Sequence, residues 1–110
     1  MTVYIAQGRY TAAAMKGLVA KPEDRMGEVK GLIERAGGKL IDYYITFGDY
    51  DFTLIYSAPS PVASFSAGAI AAAGGIVTDL KTTIGLTTEE ARQGYEMAHK
   101  AAAQFRSAGT

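Results

Sequence analysis

Between Leu40 and Ser57 two alternating runs stand only a few residues apart, and this constrains the fold more than anything else in the chain. "LIDYYITF" sends Ile41, Tyr43, Ile45 and Phe47 to one side, and Leu40, Asp42, Tyr44 and Thr46 to the other. "FTLIYS" sets Phe52, Leu54 and Tyr56 against Thr53, Ile55 and Ser57. Successive side chains of a strand point to opposite faces, so both runs read as strands. The join "GDYD", Gly48 to Asp51, is far too short for the crossover that parallel strands need. The pair is therefore an antiparallel hairpin.

The remaining segments fall into place around it. "TVYIAQGRY" alternates Val3, Ile5 and Gln7 with Tyr4 and Ala6, a strand to about Gly8. From Thr11 to Ala36 the pattern is helical in two pieces, or in one helix broken near Pro22, because proline lacks the amide donor and restricts its predecessor. Thr11 is placed to cap the first piece, with Met15, Leu18 and Val19 on one side. In the second piece Met26, Val29, Leu32, Ile33 and Ala36 share a face, and Gly37–Gly38 stop it. Gly27 and Gly31, four apart, would allow another element to approach closely. After the hairpin, Ser60 as cap, Pro61 at the first helical position and Gly74–Gly75 as terminator bound a helix with Phe65, Ala69, Ile70 and Ala73 as its narrow buried stripe. "IVTDLKTTI" is a half-buried strand, with Ile76, Thr78, Leu80, Thr82 and Ile84 on one face. Thr87 and Glu90 have capping-box spacing for a last helix, whose stripe is Ala91, Tyr95, Ala98, Ala102 and Phe105.

The order predicts an α+β, ferredoxin-like βαββαβ sandwich with an added C-terminal helix. Right-handed crossovers put both principal helices on one face of the sheet. One domain is expected, its core at about residues 2–86 and the last helix at about 88–106. Tyr4, Leu40 and Tyr44 would then give the other face an apolar and aromatic surface that needs cover. A second subunit, through its sheet or an exchanged C-terminal helix, would make a homo-oligomer; the chain's own last helix is the competing cover.

Composition narrows the function. Of 110 residues, 48% are hydrophobic, which suits a folded core, and eleven basic residues balance eleven acidic ones. Lys16, Lys21, Arg25, Lys30, Arg35 and Lys39 are interleaved with Glu23, Asp24, Glu28 and Glu34, a solvated face rather than a phosphate-binding stripe. No nucleic-acid partner is expected. There is no cysteine, so thiolate chemistry, disulfides and Cys-ligated metals are excluded, and a reducing cytoplasm is the natural setting. The start carries no export pattern, and "AGAIAAAGGIV" falls short of the roughly 20 apolar residues of a membrane helix. No membrane partner is expected. Phosphate-loop and Rossmann glycine patterns do not occur.

"YYITFGDYDFTLIYSAP" resembles the signature of the GYD domain, a small bacterial and archaeal family named for a Gly-Tyr-Asp or Gly-Glu/Asp-Tyr-Asp motif. The matching residues are Gly48, Asp49, Tyr50 and Asp51 within their flanking strands. "YIAQGRYT", "GGKL" and "GGIVTDLKTTIGLTTEE" are similar to the family too, so the resemblance runs from about Thr2 to Glu90. It implies a ferredoxin-like fold of the dimeric α/β-barrel type. It supplies no activity and no residue roles beyond the motif.

Asp49, Tyr50 and Asp51 are ligand-binding candidates, because paired carboxylates in a shared buried setting can split in pKa and work as acid and base. Turn chemistry explains the same residues more directly: Gly48 gives freedom, an aspartate accepts local backbone hydrogen bonds, and Tyr50 anchors the hairpin. Arg9, at the exit of the first strand, is a candidate anion contact. His99, the single histidine, is a candidate base or ligand, but Glu96 and His99 alone are too few for a zinc site, and haem ligation would need independent support. No metal is expected, and no cofactor is indicated. Tyr4, Tyr44 and Tyr56 are placed to meet across strands. Small-ligand binding or an oligomeric accessory role is the expected function. A monooxygenase- or isomerase-like enzyme is the alternative; a pocket holding a tyrosine, Arg9 and an aspartate would favour it.

Overall fold

A computed structural model describes residues 1–109. Its elements run β1 (Thr2–Tyr10), α1 (Ala12–Ala20), α2 (Met26–Arg35), β2 (Lys39–Ile45), β3 (Phe52–Ala58), α3 (Pro61–Ala73), β4 (Val77–Gly85) and α4 (Thr88–Ala102). The strands form one sheet in the order β2-β3-β1-β4, with every pairing antiparallel. This matches the βαββαβ order and is consistent with a ferredoxin-like α+β topology. The edge strands β2 and β4 are held apart by β3 and β1 and do not pair, so the sheet is open. The barrel expectation is therefore overturned: this is an open sheet with four helices and not a barrel.

Local chemistry explains the helix ends. The Thr11 hydroxyl accepts from the Ala14 amide at 3.1 Å and starts α1. Lys21 to Arg25, with Pro22 inside, separate α1 from α2, so the helical stretch is two pieces. Gly37, at φ 83°, ends α2 in a Schellman turn, in which Gly38 N–H reaches the Ile33 carbonyl at 3.0 Å and Gly37 N–H reaches Glu34 at 2.9 Å. The Ser60 hydroxyl accepts from Ala63 at 3.2 Å and opens α3. Thr87 and Glu90 complete the reciprocal capping box of α4.

The core lies between the sheet and α2 and α3. It comprises Tyr4 and Ala6 of β1, Phe52, Leu54, Tyr56 and Ala58 of β3, Ile33 of α2 and Ala67 of α3. Burial of Phe52 and Leu54 stabilises by about 1.5–3 kcal/mol each. Tyr4 and Tyr56 stack at 5.4 Å with planes 18° apart, and the Tyr56 hydroxyl bonds Ser64 Oγ at 2.6 Å. That pins β3 to α3.

Several expected faces are corrected. Tyr4 belongs to the helix-covered core, not to the uncovered face, and Leu40 packs against that core as well. A bulge between Leu40 and Asp42 breaks the alternation of β2, so Leu40 and Tyr43 face the core while Ile41 and Ile45 are exposed. Phe47 lies beyond the strand and is 99% exposed. In β4 a register shift opposite Gly8, with Asp79 at φ 52°, moves Thr78 off the face it was expected to share with Leu80 and Thr82. In α3 the covered side is Ala63, Ser64, Ala67, Gly68 and Ala71; Phe65, Ala69, Ile70 and Ala73 are not a buried stripe. Small residues on both sides gave periodicity little to choose between. Gly27 faces open space and Gly31 would meet only the Arg35 side chain, so neither marks a close element crossing.

The uncovered sheet face centres on Val3, Ile5 and Ile55, flanked by Tyr44, which is 64% exposed. The chain's own α4 does not cover it. No residue of α4 is buried and Ala91 alone is half-buried, while Tyr95 and Phe105 are 75% and 77% exposed. The radius of gyration, 18.1 Å, reflects this; a compact chain of this length would have about 13 Å.

Candidate functional site

The Gly48–Asp51 loop is a clamp on the end of β1. Beyond the last β1–β3 pair, Gly8 with Phe52, the Asp51 amide donates to the Gly8 carbonyl at 2.8 Å. Asp51 Oδ2 accepts the Tyr10 amide at 2.9 Å. Within the loop, Thr46 N–H donates to the Asp51 carbonyl at 2.9 Å and Thr46 Oγ1 donates to the Tyr50 carbonyl at 2.7 Å. Arg9 Nε donates to the Asp49 carbonyl at 2.7 Å, and its guanidinium lies 5.8 Å from the centre of the Tyr50 ring. Arg9, Asp49, Tyr50 and Asp51 are thus brought together, but through main-chain donors and acceptors and a cation–π contact. The Asp51 carboxylate is occupied by a backbone amide. This is turn-anchoring geometry.

His99 is not part of it. It sits in the last turn of α4, exposed to solvent. On the same helix Arg92 bonds Glu89 at 2.5 Å and also contacts Glu96. Among the described residues no three His, Cys, Asp or Glu side chains gather as a metal-holding group.

A cavity of about 330 Å³ opens between α2, α3 and the helix side of the sheet, within the ~300–1,000 Å³ of small-molecule sites. Tyr10, Tyr43 and Phe52 line it from the strands, Val29 and Leu32 from α2, and Ala67, Gly68 and Ala71 from α3. Tyr10 and Phe52 pack with ring centres 5.4 Å apart and planes tilted 45°. The Tyr10 and Tyr43 hydroxyls lie 3.1 Å apart, one donating to the other. Burial first, and then the bond from Tyr10, hold the Tyr43 phenol well above its ordinary titration range. Arg25, Glu28 and Arg35 lie at the lining too. Arg9 and the aspartates of the signature loop do not line it, so the constellation that would have favoured the enzyme is not assembled.

The loop and the cavity meet at Tyr10: Asp51 holds its amide, and the residue lines the cavity. Sequence reasoning missed Tyr10 and Tyr43 as site residues, 33 positions apart with no motif joining them. The excess of tyrosine was the available signal, yet the tyrosines expected to meet were others. Tyr4 and Tyr56 do stack, whereas Tyr44 lies on the opposite sheet face.

The sequence profile of the GYD domain matches residues 4–94, spanning both the clamp and the cavity. The chain belongs to the GYD domain family. In GYD terms, the signature residues of this member fasten the hairpin loop to β1. No curated protein matches the chain. Among solved structures, one described as the crystal structure of FFRP-DM1 aligns with a TM-score of 0.48 and 14% identity, covering 78% of this chain and 100% of that one. Among the described residues no helix is long and apolar enough to cross a membrane.

Proposed function

We propose that this GYD-domain protein is a homo-oligomeric binder of a small molecule, which occupies the cavity between α2, α3 and the sheet. The observation that carries the reading is the cavity itself, an apolar hollow with aromatic walls and a convergent pair of hydroxyls. Arg9, Asp49, Tyr50 and Asp51 then support the site through Tyr10, and His99 stands apart from the cavity on α4. Net neutrality with interleaved signs favours a small molecule over nucleic acid as partner. Native mass spectrometry of protein purified without denaturation tests both parts at once. The expected spectrum shows a multimer with retained small-molecule mass. Gly68→Leu, whose added atoms enter open space beside the cavity, should remove that mass and keep the multimer. A retained mass that is unaffected by Gly68→Leu would place the ligand elsewhere.

The oligomeric part rests on α4. An amphipathic 15-residue helix with a complete N-terminal capping box stands clear of its own sheet, and the sheet face turned away from α2 and α3 carries Val3, Ile5 and Ile55, each only half-buried. The core is also thin: among the described residues no large side chain is wholly removed from solvent. An exchanged α4 lying over a partner's open face would bury both surfaces. Removal of residues 87–110 should yield a monomer by light scattering while the strand signal in circular dichroism persists. A truncated chain of unchanged mass multiplicity would remove α4 from the interface.

A further inference from the structure

Two tyrosine hydroxyls meet among the residues that line the cavity. Tyr10 and Tyr43 share one hydrogen bond at 3.1 Å, so of their two phenolic hydrogens one is not used in that bond. Tyr43, held protonated by burial and by Tyr10, is a donor rather than an anion. The surroundings are apolar: Phe52, Leu54, Val29 and Leu32 border the same space. From α3 come Ala67, Gly68 and Ala71, small residues that leave room for a ring, together with Ile70. The charges at the lining do not ask for a counter-ion. Arg25 already pairs with Glu23 at 3.2 Å, and Glu28 and Arg35 are of opposite sign.

We infer that the cavity selects an uncharged aromatic molecule bearing a hydrogen-bond-accepting oxygen, which the Tyr10–Tyr43 pair engages with its spare phenolic hydrogen. An anion would forfeit its hydration at a lining whose two guanidinium groups are already balanced in charge by Glu28 and by the Glu23 that pairs with Arg25, and a plain hydrocarbon would leave the spare donor without an acceptor. This assignment rests on the reading of the cavity as the binding site, and the test separates the two.

The full-length protein is titrated calorimetrically with three probes of one shape: 2-acetylnaphthalene, 2-ethylnaphthalene and 2-naphthoate. The acetyl compound should bind about three- to tenfold more tightly than the ethyl compound, as expected of one neutral buried hydrogen bond. The naphthoate should bind more weakly than the acetyl compound. The Tyr10→Phe/Tyr43→Phe double variant, which removes both hydroxyls of the pair, should bring the acetyl compound to the affinity of the ethyl compound and leave the ethyl compound unchanged. Equal affinity for acetyl and ethyl probes, or a preference for naphthoate, overturns the ligand class while leaving cavity binding intact. Should a phenylalanine variant fail to fold, the acetyl-to-ethyl ratio in the unaltered protein still decides. Binding of all three probes that survives Gly68→Leu, or no binding by any of them, overturns the cavity reading as well.

Discussion

Asp51 Oδ2 accepts the backbone N–H of Tyr10 at 2.9 Å, joining residues 41 apart in the chain. The bond lies where β1 runs past the end of β3, so the carboxylate replaces a strand partner that the ladder no longer supplies. It also fixes the backbone of the residue whose hydroxyl meets Tyr43 over the cavity. A signature residue that never reaches the cavity thereby determines its geometry.

Asp51→Ala leaves the Tyr10 amide without its acceptor and should cost about 1.5–3 kcal/mol, the range for hydrogen bonds to charged groups. Asp51→Asn keeps a side-chain carbonyl in place and should cost less. Urea denaturation of the three proteins gives the ranking. Equal stability of the alanine variant and the unaltered protein would show that the clamp contributes nothing.

The buried tyrosine pair makes the fold sensitive to alkali. In the unfolded chain Tyr43 titrates near its ordinary value of 10.0, whereas in the folded protein burial and the Tyr10 bond raise it. Below pH 10 both states hold the proton and stability is unaffected. Above pH 10 the unfolded state loses the proton first, so stability falls as the pH rises. Tyr43→Phe should flatten that fall. Denaturation midpoints measured from pH 8 to 11.5 test this, and parallel curves for the two proteins would contradict it.

Tyr4 and Tyr56 stack on one another but differ at their hydroxyls. Tyr56 reaches Ser64 at 2.6 Å, while Tyr4, 2% exposed, has a buried hydroxyl without a partner among the described residues. Tyr4→Phe should therefore be neutral or stabilising, because a buried polar group left unsatisfied costs about 1–3 kcal/mol. Tyr56→Phe should destabilise by about 1 kcal/mol, through loss of a partnered bond. Thermal melts of the two variants should move apart, and a destabilised Tyr4→Phe would point to a partner for that hydroxyl.

The strand and helix order was legible because alternation and caps are local. Thr11, Ser60, Thr87 and the Gly37–Gly38 stop each act within a few residues, and all of them stand as expected. Face assignments failed where a bulge intervenes, at Leu40–Asp42 and at Asp79, since one extra residue reverses every side chain beyond it. The clamp residues were legible as a group, being contiguous apart from Arg9. The cavity was not, because Tyr10 and Tyr43 come together only once the strand order and the β2 bulge are known. The position of α4 was equally out of reach: its amphipathic stripe is plain in the sequence, but a stripe does not name the surface it faces.

The two glycines at the close of α2 should respond very differently from one in its first turn. A Cβ on Gly38 would stand 2.1 Å from the Ser57 carbonyl oxygen and 3.2 Å from Ile33 Cγ2. That oxygen belongs to β3, which pairs on both sides and has no room to retreat. Gly38→Ala should thus cost about 2–3 kcal/mol, in the range of overpacked cores. Gly37, at φ 83°, resists substitution for its backbone rather than for space. A Cβ added to Gly27 would meet nothing within 4 Å, and the residue lies in an ordinary helical turn. Gly27→Ala should therefore stabilise by about 0.5–1 kcal/mol through helix propensity. Chemical denaturation of the Gly38 and Gly27 alanine variants side by side checks the contrast. Similar midpoints would mean that β3 yields at Ser57, and that the approach of Gly38 does not fix how α2 hands the chain on to β2.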